Sequence, residues 1–365
     1  MEKNLASTSN RLISLDVFRG ITIAAMILVN FSGSWKVGYE PLEHAVWEGT
    51  TPADYIFPFF IFIVGISITM SFTKLLKEGL HKGQIVKKIL WRTLKIFAIG
   101  VALKILPTFD FSRIELPGVL QRIALVFFAC ALLFVYTDWK TQIGIGMAIL
   151  IIYCATMYYI PVPNFGAGIL EPGKNLANWL DGIVIPANLL NQKGYDSEGF
   201  YSTFPAIVSG ISGLLAGKIL ISNYNTERKV ILFFVVGTIL VLCGTTWGYT
   251  FPIIKKIWTS SFVMLTSGWA FLSLALLIWL IDLTKFTTGS RPFIIFGSNA
   301  IAIYVLADVF ETIFVKTNLR DNVFSGMVNW GIYDKTASLV WACFSVLVCY
   351  SAAHLLYSRK IFIKL

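Results

Sequence analysis

Charge is scarce in this 365-residue chain. Asp, Glu, Lys and Arg make up 14% of it and hydrophobic residues 56%, against roughly 25% and 45–50% in ordinary soluble domains. That shortage excludes a soluble globular enzyme and a disordered chain. Alternating ten-residue segments are also missing, which excludes an outer-membrane barrel. Cysteine is rare and scattered: Cys130, Cys154, Cys243, Cys343 and Cys349 all lie in apolar runs, with no CxxC pair and no histidine or acidic cluster nearby. They are expected to be buried small hydrophobes, and no metal site is expected. The chain has no GxxxxGK[ST], no GxGxxG after a strand and no HExxH. Walker ATPases, Rossmann enzymes and zincins therefore find no support.

What the sequence does have is long apolar runs. Ten spans can be drawn, at 13–33, 52–73, 85–106, 117–136, 141–160, 200–221, 230–248, 257–281, 292–315 and 336–357. At about 20 residues each they use about 200 residues, so the expected fold is an all-α polytopic membrane protein of about ten transmembrane helices. With the N-terminus in the cytoplasm, seventeen Lys and Arg fall in the inner segments and nine in the outer ones, while Arg92, Lys95, Lys104 and Arg122 lie within spans. That bias predicts both termini inside, in the cell (inner) membrane. The net charge of +10 then reports orientation, and no nucleic-acid partner is expected. Met1 to Asn10 is polar, and no small-residue cleavage site follows the first apolar run, so the first span is expected to be a retained anchor. A single domain over 1–365 is expected: five helices within 13–160, an extracytoplasmic stretch at 161–199, and five helices within 200–357.

The 161–199 stretch is rich in Pro, Gly and Asn and carries Trp179, Asp181, Tyr195, Asp196 and Glu198. A connection this long is functional or disordered. Its aromatic and amide content suits a sugar, with rings to stack on and Asp or Asn to meet hydroxyls, although an ordinary outer loop would read the same way.

Within or beside the spans, polar residues are expensive and so informative. Asp16 and Arg19 lie at i, i+3 on the first helix and can pair, either as an interfacial anchor or as part of an inward-facing site. Thr51-Pro52-Ala53-Asp54 opens the second span as a good cap; Asp54 serves that cap, or it orients His44. His81 lies in a basic loop and His354 near the end of the last span. His44 alone sits at the outer face, in a turn with Trp47 and Gly49, where it is a candidate for a catalytic role. Arg122 lies about 7.5 Å inside the fourth span, either at a functional site or in a structural ion pair. Asn299, Asp308 and Glu311 are similar candidates in the ninth. Lys88, Arg92 and Lys95 form a stripe at i, i+4, i+7 that can hold phosphates or simply obey the positive-inside bias.

Several strings together resemble one family, the transmembrane acetyltransferases typified by heparan-α-glucosaminide N-acetyltransferase. They are Ser14-Leu15-Asp16-Val17-Phe18-Arg19-Gly20, His44-Ala45-Val46-Trp47-Glu48-Gly49-Thr50 with Ala53-Asp54 and Phe57-Pro58, and Leu116-Pro117-Gly118-Val119-Leu120-Gln121-Arg122. Asp196-Ser197-Glu198-Gly199, Ala216-Gly217-Lys218-Ile219-Leu220 and Gly297-Ser298-Asn299-Ala300-Ile301 follow in order. The strings leave out the extra luminal domain of the animal enzyme, so the resemblance is to a compact bacterial relative. It implies transfer of acetyl from cytoplasmic acetyl-CoA, without a metal, to an amino sugar at the outer face, and a homodimer in the lipid bilayer. The family's catalytic histidine falls on His44 by motif. On this reading His44 is the base, Asp54 orients it, and Asn30 or Asn299 faces the oxyanion. Lys88, Arg92, Lys95, Arg122, Asp16 and Arg19 meet the cofactor; Trp47, Asn299, Asp196 and Glu198 meet the acceptor. The rival readings are an acetyl-histidine route, a proton-coupled transporter of amino sugars or glycan fragments, and a sugar O-acetyltransferase.

Overall fold

The computed structural model describes residues 12–107, 109, 116–186, 189 and 196–363. Lys3, Arg11, Arg113, Lys193, Tyr195 and Lys364, counted above, lie outside them. Among the described residues the chain is helical, with isolated bridges but no strand. The helices are α1 (Ile13–Asn30), α2 (Ile56–Lys77), α3 (Lys82–Ile105), α4 (Val119–Tyr136), α5 (Trp139–Tyr159), α6 (Leu176–Val184), α7 (Thr203–Ile221), α8 (Thr226–Gly248), α9 (Ser260–Leu277), α10 (Arg291–Ser298), α11 (Ala300–Lys316), α12 (Leu319–Asn329) and α13 (Asp334–Ser358). Such β-branched and aromatic sequences are modest helix formers in water. In hydrocarbon, every backbone N–H must find its partner within the segment, and the helix supplies one.

Eight helices are long and apolar enough to cross a membrane by themselves, and a ninth candidate is the bent pair α10 and α11. The remaining expected span is α3, whose 24 residues include Lys82, Lys87, Lys88, Arg92, Lys95 and Lys104. The span drawn at 292–315 is not continuous. It breaks by 84° after Ser298, where Asn299 leaves helical dihedrals (φ −132°, ψ 38°). The Asn299 side chain instead holds the C-terminal segment: its Nδ2 donates to Ile361 O at 3.0 Å and its Oδ1 accepts from Ile363 N at 2.8 Å.

The bundle has a centre and a rim. Between 56% and 67% of the apolar window is buried in α1, α2, α4, α7 and α9, but only 22% to 28% in α5, α8 and α13. This corrects the cysteine expectation: Cys130 and Cys349 are buried and Cys154 is partly so, whereas Cys243 on α8 and Cys343 on α13 are exposed. An apolar run does not show which face of a rim helix meets lipid. His354 on α13 is likewise exposed, against Tyr350.

At the centre, α2 and α7 approach through glycines. A Cβ on Gly65 would lie 2.2 Å from Gly210 O, and one on Gly213 2.0 Å from Phe62 O. Those neighbours are backbone and cannot swing aside. Gly213→Val should therefore lower the thermal midpoint in detergent by several degrees or abolish the monodisperse peak, an overpacking cost of about 1–3 kcal/mol or more. Chromatography of heated samples would check this.

The helix ends sort into two groups. Residues of the 44–54 turn, the 196–202 turn and the 251–259 strap meet at one end. Ser14 and Asp282, and the α10/α11 break with the C-terminal segment, meet at the other. The described part of the 161–199 stretch contains α6, and its Leu176 and Ala177 join a core cluster with Tyr153 and Phe251.

Candidate active site

Asp54 is fully buried at the head of α2. Its Oδ2 accepts from Thr51 N at 3.0 Å and from Thr51 Oγ1 at 3.2 Å, so the capping expectation holds. The same oxygen accepts from Ala45 N at 3.1 Å, and Oδ1 lies 2.8 Å from His44 Nδ1. Capping and histidine orientation are both present, on different oxygens. A carboxylate at Nδ1 favours the Nδ1–H tautomer and leaves the Nε2 lone pair available. The His44 side chain is 42% exposed, against 1% for Asp54.

A third group meets them. Lys255 Nζ donates to Asp54 Oδ1 at 3.1 Å; it also lies 3.0 Å from His44 Nδ1, and with the ring proton on Nδ1 that approach is of two donors sharing one carboxylate oxygen, not a hydrogen bond. It comes from the strap before α9, whose Phe251, Ile254 and Ile257 are fully buried. The strap is fastened to the histidine turn by Gly49 N, which donates to Ile253 O at 2.9 Å. Gly49 has φ +87°, a left-handed conformation that suits glycine. Burial pulls the Lys255 ammonium below the usual lysine range, and the Asp54 carboxylate opposes that pull. In the sequence Lys255 is only one of the nine outer charges. Its signal was a lysine pair, Lys255-Lys256, set among apolar residues on the side that the charge bias disfavours.

His44, Lys255, Asn30 and Glu198 line a cavity of about 100 Å³, closed on its apolar side by Met26, Phe57 and Val119. Asp196 does not line it: buried, it accepts from Glu198 N at 2.8 Å and shapes the turn that presents Glu198. On its exposed side His44 also borders a cavity of about 330 Å³ with Trp35, Tyr39, Glu43 and Lys335. Trp47 donates from Nε1 to Leu170 O at 3.0 Å, tying the histidine turn to the 161–199 stretch.

Arg122, expected at the cofactor, stands at this end. It is 1% exposed, donates from Nη2 to Gly199 O at 3.1 Å and to Ser202 Oγ, and stacks 5.0 Å over Trp258. It fastens the 199–202 turn beside Glu198. Asp181 does the same from α6, where its Oδ1 accepts from Tyr201 N at 2.9 Å. Burial pushes the Asp181 carboxyl up to about 6 from 3.8. The folded state then binds more protons than the unfolded one between those values, so this group's contribution to stability falls as pH rises from about 4 through about 6. Asp181→Asn should flatten that slope in thermal midpoints measured across pH 4–7.

At the opposite end, Arg19, Lys88, Arg92 and Lys95 come from α1 and α3 to line a cavity of about 590 Å³, with Ser67, Ser71 and Ser298. Arg19 Nη2 donates to Ser67 Oγ at 3.0 Å, and its Nη1 lies 3.3 Å from Asp16 Oδ1. Asp16 thus orients Arg19 and does not itself line the cavity. Arg92 stacks 4.7 Å over Phe127, and its buried Nε has no hydrogen-bond partner among the described residues. Asn299 lines this cavity too, which corrects its expected place at the acceptor. Eleven residues of α1, about 16 Å, separate the level of Arg19 from that of Asn30. Asp308 and Glu311 lie on α11, where Glu311 pairs with Arg320 at 2.9 Å.

The two cavities are stacked along α2: Phe57 borders one and Phe60 the other, about 5 Å apart in rise. In comparison with known proteins, the family model for the catalytic region of heparan-alpha-glucosaminide N-acetyltransferase matches residues 11–247. The chain belongs to that family. It is 29% identical over 418 residues to the heparan-alpha-glucosaminide N-acetyltransferase of Mus musculus, covering 98% of this chain and 61% of that protein. The Homo sapiens protein of the same name is 29% identical over 419 residues, covering 99% and 61%. The chain thus spans about three fifths of the length of the curated relatives it matches. The matched segment contains His44, Asp54, Arg122, Glu198 and the cationic stripe; Lys255 falls just beyond it.

Proposed function

We propose that this protein is a membrane-embedded N-acetyltransferase that carries acetyl from cytoplasmic acetyl-CoA to the amino group of a glucosamine-type sugar at the extracytoplasmic face of the cell membrane. One observation carries the reading: a histidine oriented by a buried carboxylate opens on a cavity only one turn of α2 from a second, cationic cavity at the other end. Separate entrances for an anionic donor and an outer acceptor are what such a transfer requires. The cationic cavity fits CoA phosphates by its chemistry, with two arginines, two lysines and three serine hydroxyls on its wall.

An ammonium group is no nucleophile, so the acceptor first meets Glu198, whose charge suits it, and yields its proton to His44 Nε2. The amine nitrogen then bonds to the thioester carbon, and the carbonyl electrons move to oxygen. Collapse of that intermediate breaks the C–S bond, the leaving thiolate takes the proton from His44, and the surplus proton left on the amide nitrogen passes to the imidazole so freed and from there to water. Asn30 and Lys255 line the cavity where the oxyanion develops and supply positive potential to it.

Purified protein given labelled acetyl-CoA and glucosamine should yield N-acetylglucosamine. CoA-independent uptake of the sugar into vesicles without acetylation would overturn the reading in favour of a transporter, and acetylation confined to hydroxyls would make it an O-acetyltransferase. A labelled acetyl-protein formed with acetyl-CoA alone would replace direct transfer by the acetyl-histidine route. For the donor site, Lys88→Ala combined with Arg92→Ala should raise the acetyl-CoA KM about tenfold or more and leave the acceptor KM unchanged, since each removes a charge-assisted contact. Equal effects on both would refute the assignment.

A further inference from the structure

Between the rim helices α5 and α8 lies a groove that the proposed reaction does not use. Its volume is about 640 Å³, and its floor is made by α7 and α9, including Val208, Ile211, Val263 and Phe271. Its two ends differ in chemistry. Leu150, Val208 and Val263 close one end with hydrocarbon, whereas Trp139, Lys218, Ser222 and Tyr224 rim the other. From Trp139 to Leu150 is eleven residues of α5, about 16 Å, which matches the depth of one leaflet, half of a core about 30 Å thick. The groove therefore runs from a membrane interface to the bilayer middle and stops there.

The rim carries a net positive charge. Lys140 lies 5.7 Å over the Trp139 ring and Arg228 4.2 Å over the Tyr224 ring, while Lys218 stands exposed in the last turn of α7. Lys229 is committed to Leu220 O at 2.7 Å. The acidic residues at this rim are Asp138, whose Oδ1 accepts from Thr141 N at 3.0 Å and caps α5, and Glu227 in the first turn of α8. Aromatic rings beside cations at the mouth of an intramembrane groove are the features that recognise a lipid phosphate.

We propose that this groove is a specific site for an anionic phospholipid of the adjoining leaflet, with one acyl chain lying along Gly146 and Leu150 and the phosphate against Lys218 and Arg228. A second copy of the chain would bring the same cations to this mouth and repel itself, so charge favours the lipid.

Native mass spectrometry of the full chain with phosphatidylglycerol and phosphatidylcholine of identical acyl chains tests the site. One phosphatidylglycerol should survive activation that strips phosphatidylcholine, and Lys218→Glu with Arg228→Glu should lower its retention about tenfold or more. Gly146→Leu, which fills the groove from α5, should reduce retention of both lipids. Equal retention of the two lipids, or no effect of the charge reversals, would overturn the proposal. So would self-cross-linking of Met147→Cys in vesicles, which would place a second copy in the groove. None of these readouts depends on acetyl transfer, so the proposal and the enzymatic reading fail separately.

Discussion

His44→Ala should cut acetyl transfer by at least about a thousandfold, with Asp54→Asn close behind. A positioned general base contributes about 10²–10⁴-fold, and this site offers no second histidine: His81 and His354 lie at the far ends of α3 and α13. The asparagine substitution is the more instructive of the two. It keeps a side-chain oxygen to accept from Thr51 N and Ala45 N at 3.0 and 3.1 Å. Its amide can instead donate to His44 Nδ1, which places the ring proton on Nε2, where the acceptor amine needs a lone pair. The wrong tautomer at an otherwise intact triad costs about 10⁴ in a serine protease. Loss of the cap also weakens the head of α2, so the variant must be shown to bind acetyl-CoA normally. If Asp54→Asn retains full activity, the 2.8 Å contact of His44 with Asp54 is capping architecture and not catalytic.

Several parts of this arrangement were legible in the sequence for physical reasons. Long apolar runs forced helices, and the scarcity of charge made His44, Asp54 and the Lys88–Arg92–Lys95 stripe stand out. What the sequence could not show was the depth of each polar group. Asn299 and Asn30 look alike as asparagines at helix ends, yet the break after Ser298 turns Asn299 toward the C-terminal segment, whereas Asn30 lines the cavity beside His44. Arg122 sits close in sequence to the cationic stripe, but α3 has crossed the bundle before α4 begins, which leaves Arg122 in the first turn of α4 at the other end. Lys255 is 201 residues from Asp54. No local pattern encodes that meeting, which depends on the bond from Gly49 N to Ile253 O in the strap and on the burial of Phe251, Ile254 and Ile257.

The distant lysine carries the second large effect. Lys255→Met should lower kcat about 10²–10³-fold while the acetyl-CoA KM stays within about twofold, the range expected on losing one preorganised donor to an oxyanion. Nearly buried, with its side chain 17% exposed, this cation acts in a region where charge is poorly screened. It serves two ends. It shares Asp54 Oδ1 with His44, so the carboxylate is balanced before the histidine takes a proton. It also lines the cavity to which the proposed transfer assigns the oxyanion. Lys255→Arg keeps the charge in a larger, planar group and should recover part of the rate, about tenfold over methionine, which separates a charge requirement from simple loss of packing in the strap. If methionine instead raises both Michaelis constants at unchanged kcat, Lys255 binds substrate uniformly and does not favour the transition state. If arginine and methionine are equally impaired at intact thermal stability, geometry and not charge is the contribution of this residue.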